Sequence, residues 1–320
     1  MRFLVCGLGS IGARHLEILK TLGNHEVCSY STGKATISLN IQPDKVFFDL
    51  DSALIERFDA ALVTNPTALH IPVALEIARQ GIPLFIEKPV SHSLDGIDEL
   101  LLLCKDKIPV LIGTNMIYHP AIRKMKQLLQ EEAIGRIICV RAQFGTYLPD
   151  WHPWEDYRKS YASLPDMGGG VVRTSIHELC YLTDFFGDVD EVQAMEIKRD
   201  VLDIEAEEGC EILLRHSNGI VSNIHLNFFQ RPPNRYCEII GTKGSLYWYF
   251  WSRDLEVRKE NGVTFIRLGT GPLELLNESF ELQMKHFLAV IKREAIPQSD
   301  LEKGVADLQI AIRILEGINR

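Results

Sequence analysis

Three short stretches of this 320-residue chain have the residue types and spacing to do chemistry. The first, "FLVCGLGSIGARHLEIL", sets Gly7, Gly9 and Gly12 in G-x-G-x-x-G spacing directly after an apolar run. That spacing suits a dinucleotide. Gly7 permits a tight turn, Gly9 lets backbone approach a pyrophosphate, and Gly12 lets a helix pack on a strand, with Ser10 and Ile11 at the helix N-terminus facing the phosphates. The second, "PLFIEKPVS" at 83–91, is an apolar run that stops at Glu87, Lys88 and Pro89. Ligands of open parallel sheets bind at the carboxyl ends of strands, so Lys88 is expected to point at a substrate. In the third, "GGGVVRTSIHELCYL" at 168–182, a glycine run leads to Arg173 and His177.

Taking a hydride from an alcohol carbon leaves a protonated carbonyl unless the O–H proton is removed, and the reverse step leaves an alkoxide, so such a site needs an acid-base group and a cation near the oxygen. An imidazole has the right intrinsic pKa for the proton, and an ammonium can donate to the oxygen. His177 and Lys88 are the candidates for these two roles. The loop "TYLPDWHPWEDYRKSY" adds flat apolar faces at Trp151, Trp154, Tyr157 and Tyr161, with Arg158 among the polar edges. This is the composition of a site for a polyhydroxylated ring, although aromatic packing at an interface would use the same residues.

The choice of cofactor turns on "EVCSYSTGK". An NAD site usually ends its second strand in Asp or Glu to accept from the ribose, whereas Ser31 and Thr32 stand here, with Lys34 close behind. A carboxylate 4 Å from a 2'-phosphate would be repelled by about 4 kcal/mol per charge pair. Its absence leaves NADP or NAD as cofactor, with a lean to NADP.

Positioning these groups needs a particular fold. Residues 3–6, 27–30, 46–48, 60–64, 84–86 and 110–112 read as short strands alternating with helical patterns, which argues for a Rossmann-type, doubly wound parallel sheet. The rest changes character. A helix is expected over 120–132, a strand over 137–144, and a helix ending near 186. Runs at 211–214, 220–229, 236–240 and 245–249 then read as strands joined by short turns, with Asn218-Gly219 and Asn261-Gly262 as hairpin signals. Helices near 280–292 and 301–317 close the chain. The expected fold is α/β: a dinucleotide-binding domain over 1–118, then an α+β domain over 119–320 with a large, mostly antiparallel sheet for substrate binding and oligomerisation. An exposed second sheet face would promote association, so a homo-oligomer, dimer or tetramer, is expected.

Bulk properties exclude several classes. A formal charge of −9 offers no broad positive field for nucleic acid. Seven cysteines, odd in number and without CxxC, suit free thiols in a reducing, cytoplasmic compartment. The first apolar run stops at Gly7, short of a signal-peptide core, and no run approaches the length of a membrane span. No H-E-x-x-H or comparable cluster is present, and hydride transfer needs no metal, so none is expected.

The motifs also carry a resemblance. "LVTNPTALHIPVALEIARQGIPLFIEKPVS", together with "IGRI", "GGGVVRTSIHELCYLTDFFG" and "RYCEIIGTKGSL", resembles the Gfo/Idh/MocA oxidoreductases, named after glucose-fructose oxidoreductase and inositol dehydrogenase. The likeness runs over nearly the whole chain. It implies an NAD(P)-dependent enzyme acting on a sugar, sugar derivative or nucleotide sugar, with Lys88 and His177 flanking the reacting carbon. It further implies that Thr64, Asn65, Pro66, His70 and Glu87 line the cofactor site. One position departs from the pattern: Arg173 stands where the family commonly carries an aspartate. Arginine cannot act as a base, though it can grip a carboxylate or phosphate. The exchange admits four readings: an acidic substrate, proton transfer resting on His177 alone, a dinucleotide-binding sensor or assembly protein with turnover weak or lost, or an arginine paired with a nearby acid such as Glu178.

Overall fold

A computed structural model describes residues 1–33, 40–198 and 201–318. Contacts divide the chain into two compact units, Met1–Thr114 with Phe280–Leu308, and Asn115–Ser279 with Gln309–Arg320.

The first unit holds a six-stranded sheet: β1 (Arg2–Cys6), β2 (Glu26–Tyr30), β3 (Lys45–Phe47), β4 (Ala60–Val63), β5 (Leu84–Glu87) and β6 (Val110–Gly113). Helices α1 (Ser10–Leu22), α2 (Leu50–Leu54), α3 (His70–Arg79) and α4 (Ile97–Cys104) connect the strands. Every pairing is parallel and the order is β3-β2-β1-β4-β5-β6. This is the dinucleotide-binding order, with the strand direction of travel reversing between β1 and β4, and the expected α/β class is observed. Strands β4, β5 and β6 are buried along their whole length. A parallel sheet covered on both faces needs continuous apolar runs of that kind, which is why they were readable.

The second unit contains α5 (Pro120–Gln130), β7 (Ile137–Tyr147), α6 (Val171–Thr174), α7 (His177–Phe186) and β8 (Val189–Glu196). Strands β9 (Gly209–His216), β10 (Val221–Asn227), β11 (Phe229–Gly241), β12 (Gly244–Tyr249), β13 (Asp254–Lys259) and β14 (Gly262–Arg267) complete its sheet. The order is β14-β13-β12-β11-β7-β10-β9-β8, antiparallel except for β7 with β10. Burial alternates along β9, β10 and β13, as in a sheet with one covered face. Helices α6 and α7 lie against β7, β9 and β10. The opposite face leaves Met195, Leu213 and Phe265 exposed.

Two long helices follow, α8 (Pro272–Ile291) and α9 (Leu301–Ile318). Segment Phe280–Leu308, placed by the sequence boundary in the later domain, packs in the first unit. Met284 and Phe287 enter the core formed by Phe3, Val5, Leu16, Phe85 and Leu111, and Ser299 O accepts from Ile112 N at 2.8 Å. Fully burying side chains of this size contributes about 1.5–3 kcal/mol each. Helix α8 also starts earlier than 280. Pro272 fills its first turn, where no N–H partner is required, and Glu274 there complements the helix dipole.

Candidate active site

The first unit makes a tight glycine turn at the end of β1. Gly7 has φ +104°, and a Cβ there would lie 2.7 Å from Asn65 N. A Cβ on Gly12 would lie 2.0 Å from Gly7 O, so only glycine lets α1 come this close to its strand. Gly9 is different: nothing lies within 4 Å of the position its Cβ would take. It is also the residue before α1, and no side chain caps that helix. The first-turn N–H groups of Ser10, Ile11 and Gly12 are therefore available to an anion, and Ser10 is exposed. Bare backbone, open space and an uncapped helix N-terminus together fit a dinucleotide pyrophosphate.

Thr64, at the end of β4, is buried, and its hydroxyl donates to Gly7 O at 2.8 Å. It clamps the glycine loop. Asn65 and Pro66 are half-buried, and Asn65 Nδ2 donates to Leu69 O at 3.3 Å. His70 is buried between two carbonyls, with Nε2 2.8 Å from Asn65 O and Nδ1 2.9 Å from Pro89 O. Burial pushes its pKa down, favouring a neutral ring that supplies one N–H. His70 thus ties the 65–66 turn to the segment that follows β5. Ser31 and Thr32 lie just after β2, half-buried and exposed respectively. Lys34 lies outside the described residues.

At the end of β5 the Lys88–Pro89 bond is cis. Lys88 is half-buried. Glu87 is buried, and both its oxygens are engaged: Oε1 sits 2.7 Å from His15 Nε2, and Oε2 accepts from the Lys88 N–H at 3.2 Å. A Cβ on Gly113 would lie 2.8 Å from the Glu87 carboxyl carbon, so β6 leaves room for it. His15 Nδ1 has no partner among the described residues, which assigns the ring proton to Nε2, donating to Glu87. The sequence reading missed His15. Its signal was a polar residue among the buried positions Gly12, Leu16 and Leu19 on the inner face of α1.

The second unit brings together the glycine run, Arg173 and His177. Arg173 lies on α6 and His177 begins α7, with Ser175 at φ −101°, ψ 31° breaking the two apart. Both side chains are half-buried. Glu178 is not the partner of Arg173: its Oε1 accepts from Arg235 Nε at 2.6 Å, with the pair sealed under α7. The sequence neighbour lost to a residue that β11 delivers from the sheet. Glu207 instead attends Arg173. Its Oε1 accepts from Val172 N at 3.1 Å, its carbonyl accepts from Val171 N at 3.1 Å, and its charge supports that of Arg173. Burial pushes the Glu207 carboxyl up to about 7, against the opposing pull of the Val172 N–H and Arg173.

The aromatic loop forms successive 3-10 turns at Leu148–Asp150, Tyr157–Lys159, Tyr161–Ser163 and Pro165–Met167. Trp151 donates to Thr146 Oγ1 at 2.9 Å and sets its edge on Phe228, which fixes it as an anchor of the loop. Tyr157 is half-buried, and its carbonyl accepts from Ser163 Oγ at 2.6 Å. Arg158 is exposed and held by Asp156 at 2.8 Å and by Asp203 at 3.3 Å. Trp154 is 66% exposed and offers the open aromatic face of the set. Among the described residues no group of three or more His, Cys, Asp or Glu could hold a metal ion, and no helix is long and apolar enough to cross a membrane.

Comparison with known proteins gives this arrangement a context. The chain is 26% identical to the 1,5-anhydro-D-fructose reductase of Ensifer adhaerens, over 81% of this chain and 77% of that protein. It is 23% identical to the D-xylose 1-dehydrogenase (NADP(+)) 2 of Haloferax volcanii, over 99% of this chain and 97% of that protein. The fold matches levoglucosan dehydrogenase in its complex with NADH and levoglucosan, with TM-score 0.87 and 17% identity over 100% of this chain and 97% of that one. Residues 1–115 match the profile described as oxidoreductase family, NAD-binding Rossmann fold, and residues 122–247 match the GFO/IDH/MocA C-terminal domain. The chain belongs to the Gfo/Idh/MocA oxidoreductase family.

Proposed function

We propose that this chain interconverts a hydroxyl and a carbonyl on a sugar, sugar derivative or nucleotide sugar, with Lys88 polarising the oxygen and His177 moving the proton. The observation that carries the reading is Lys88 at the carboxyl end of β5, in the same sheet and at the same strand ends as an uncapped glycine cradle that fits a dinucleotide. The nicotinamide, when bound, supplies the acceptor or donor of a hydride. In the oxidation direction the C–H electron pair leaves with that hydride while the O–H proton passes to His177, and the ammonium of Lys88 hydrogen-bonds the oxygen as its charge develops. Glu87, held by His15, fixes the Lys88 backbone, and His70 fixes the carbonyl of Pro89.

Ser31 and Thr32 at the ribose end, with no acid there, support NADP as the preferred cofactor. The D-xylose dehydrogenase relative is named for NADP(+), which agrees. The test is to incubate the chain with NAD+ or NADP+ and a panel of sugars, sugar acids and nucleotide sugars while following reduced nicotinamide absorbance. Turnover with one sugar class, faster with NADP+, is the expected result. Dinucleotide binding without turnover across the panel would instead favour the sensor reading, for which the specific observation is Arg173 beside His177.

Free thiols at all seven cysteines fit a reducing, cytoplasmic setting. The exposed apolar side chains of Met195 and Leu213 near one edge of the sheet and Phe265 at the other support a homo-oligomer closed over this sheet face. Analytical ultracentrifugation is expected to show a dimer or larger species that Phe265→Lys shifts toward monomer. A wild-type chain sedimenting as monomer at micromolar concentration would remove this proposal.

A further inference from the structure

We propose that His15 is a positioning residue for Lys88: its Nε2–H holds the buried Glu87 carboxylate in the orientation that receives the Lys88 N–H, and so sets where β5 releases the lysine. For its effect on rate this rests on the reading of Lys88 as the group that polarises the oxygen; for its geometry it rests on the first unit alone.

His15 stands on the inner face of α1, and its side chain is 0% exposed. The ring is caged. Phe85 meets it edge-on with centroids 4.9 Å apart, and Phe280 of α8 does so at 6.1 Å, with the Arg14 guanidinium over the Phe280 ring at 4.6 Å. Nδ1 has no partner among the described residues, so the polar work of the ring falls to Nε2, 2.7 Å from Glu87 Oε1. The acid is enclosed too, its side chain 8% exposed. The register of β5 with β6 sets Gly113 opposite Glu87, and a Cβ there would lie 2.8 Å from the carboxyl carbon. Glu87 Oε2 accepts from the N–H of the next residue, Lys88, at 3.2 Å. Each carboxyl oxygen thus meets one donor, the first fixed by α1 and the second carried by the chain at the site.

Burying an acid and an imidazole together contributes little net stability, because the desolvation of both offsets their attraction. What the pair supplies is direction. The last torsion of a glutamate side chain is broad, so a carboxylate that loses its donor from α1 turns and leaves the Lys88 N–H without its acceptor. The ammonium sits at the end of a flexible four-carbon stem, and a change of backbone direction at 88 is carried out to it. A misplacement of about 1 Å at a reacting centre costs about a hundredfold in rate.

The test is a double-mutant cycle on the full chain. His15→Phe keeps a ring between Phe85 and Phe280 and removes the donor, and His15→Leu replaces it should the phenylalanine variant not fold. The expected result is a kcat lower by about ten- to a hundredfold, with KM for the sugar and the dinucleotide dissociation constant within about twofold of wild type. His15→Gln, whose side-chain N–H can donate to the same carboxylate oxygen, is expected to restore most of the rate. In a Lys88→Ala background His15→Phe is expected to change the rate by less than about twofold, because its action runs through the ammonium. Equal losses with and without Lys88, a dinucleotide affinity that falls with the rate, or no recovery in His15→Gln would each overturn the proposal. Amide hydrogen exchange supplies a readout that needs no turnover. Exchange at the Lys88 N–H is expected to rise at least about tenfold in His15→Phe relative to Ile86 in the same strand, and to return in His15→Gln. An unchanged Lys88 amide also overturns it. Should the wild-type chain turn over no sugar at all, the oxidoreductase reading fails, while exchange still decides whether His15 sets the backbone at 88.

Discussion

Lys88→Ala is expected to lower kcat/KM by about a thousandfold on whichever sugar the chain accepts, while leaving the dinucleotide dissociation constant within about twofold of wild type. The size follows from the role. Removing one preorganised donor to a developing oxyanion costs about 10²–10³ in rate, and the ammonium adds full charge to that donor. The separation of effects follows from the structure. The groups proposed to hold the pyrophosphate, Gly7, Gly9, Gly12 and the start of α1, offer backbone N–H groups and open space rather than side chains. The backbone at 88 is held independently by Glu87 and, one residue on, by His70 through Pro89 O. An alanine therefore removes the ammonium and leaves the backbone at 88 held. Lys88→Arg is expected to recover only part of the rate, because a planar guanidinium cannot place a point charge where the ammonium sat. Nicotinamide fluorescence measures binding, and initial rates measure turnover. Loss of dinucleotide affinity in parallel with rate would assign Lys88 to cofactor binding and remove it from the oxygen.

How much of this was legible in the chain depends on whether a residue's partner was near in sequence or supplied by the fold. The parallel strands β1, β4, β5 and β6 were legible because each is a short apolar run buried on both faces and bounded by turn residues. Strands β8 and β14 were harder. In "VDEVQAME" the exposed positions are Asp190, Glu191, Gln193 and Met195, and most of β14 is exposed, so neither shows an apolar run. Long-range partners were not legible at all. One of the readings of Arg173 paired it with Glu178, five residues away, yet the pairing of β11 with β7 places Arg235 under α7, and Arg235 takes Glu178. Glu207 sits in "DIEAEEGC", where its neighbours suggest solvated charge. Only the closure of that loop onto Gly170 and Val172 makes it a half-buried carboxyl. The glycine turn, by contrast, was legible, since glycine at 7 and 12 answers to backbone atoms of the same short turn and its neighbouring strand end.

Arg235→Met is expected to destabilise the second unit by about 3–5 kcal/mol, the cost of leaving one charge of a buried pair without its counterion. Glu178 is 0% and Arg235 10% exposed at the side chain, and their atoms approach to 2.6 Å. The guanidinium also lies over the Phe144 ring at 4.9 Å, so its loss removes packing as well as charge. Glu178→Gln should cost less, because an amide can still accept from Arg235 while the arginine loses its counter-charge. Glu178→Leu with Arg235→Met should recover most of the loss, since an apolar pair of similar volume carries no desolvation cost. Urea unfolding of these variants together with Glu178→Leu measures the cycle. Glu178 follows His177 directly at the start of α7, so a weakened pair also loosens the helix end that presents the imidazole. Arg235→Met is therefore expected to lower kcat at temperatures where the protein remains folded. A single variant within about 1 kcal/mol of wild type would mean that the pair is solvated in solution, and that α7 is held by its apolar face of Leu179, Leu182 and Phe186 alone.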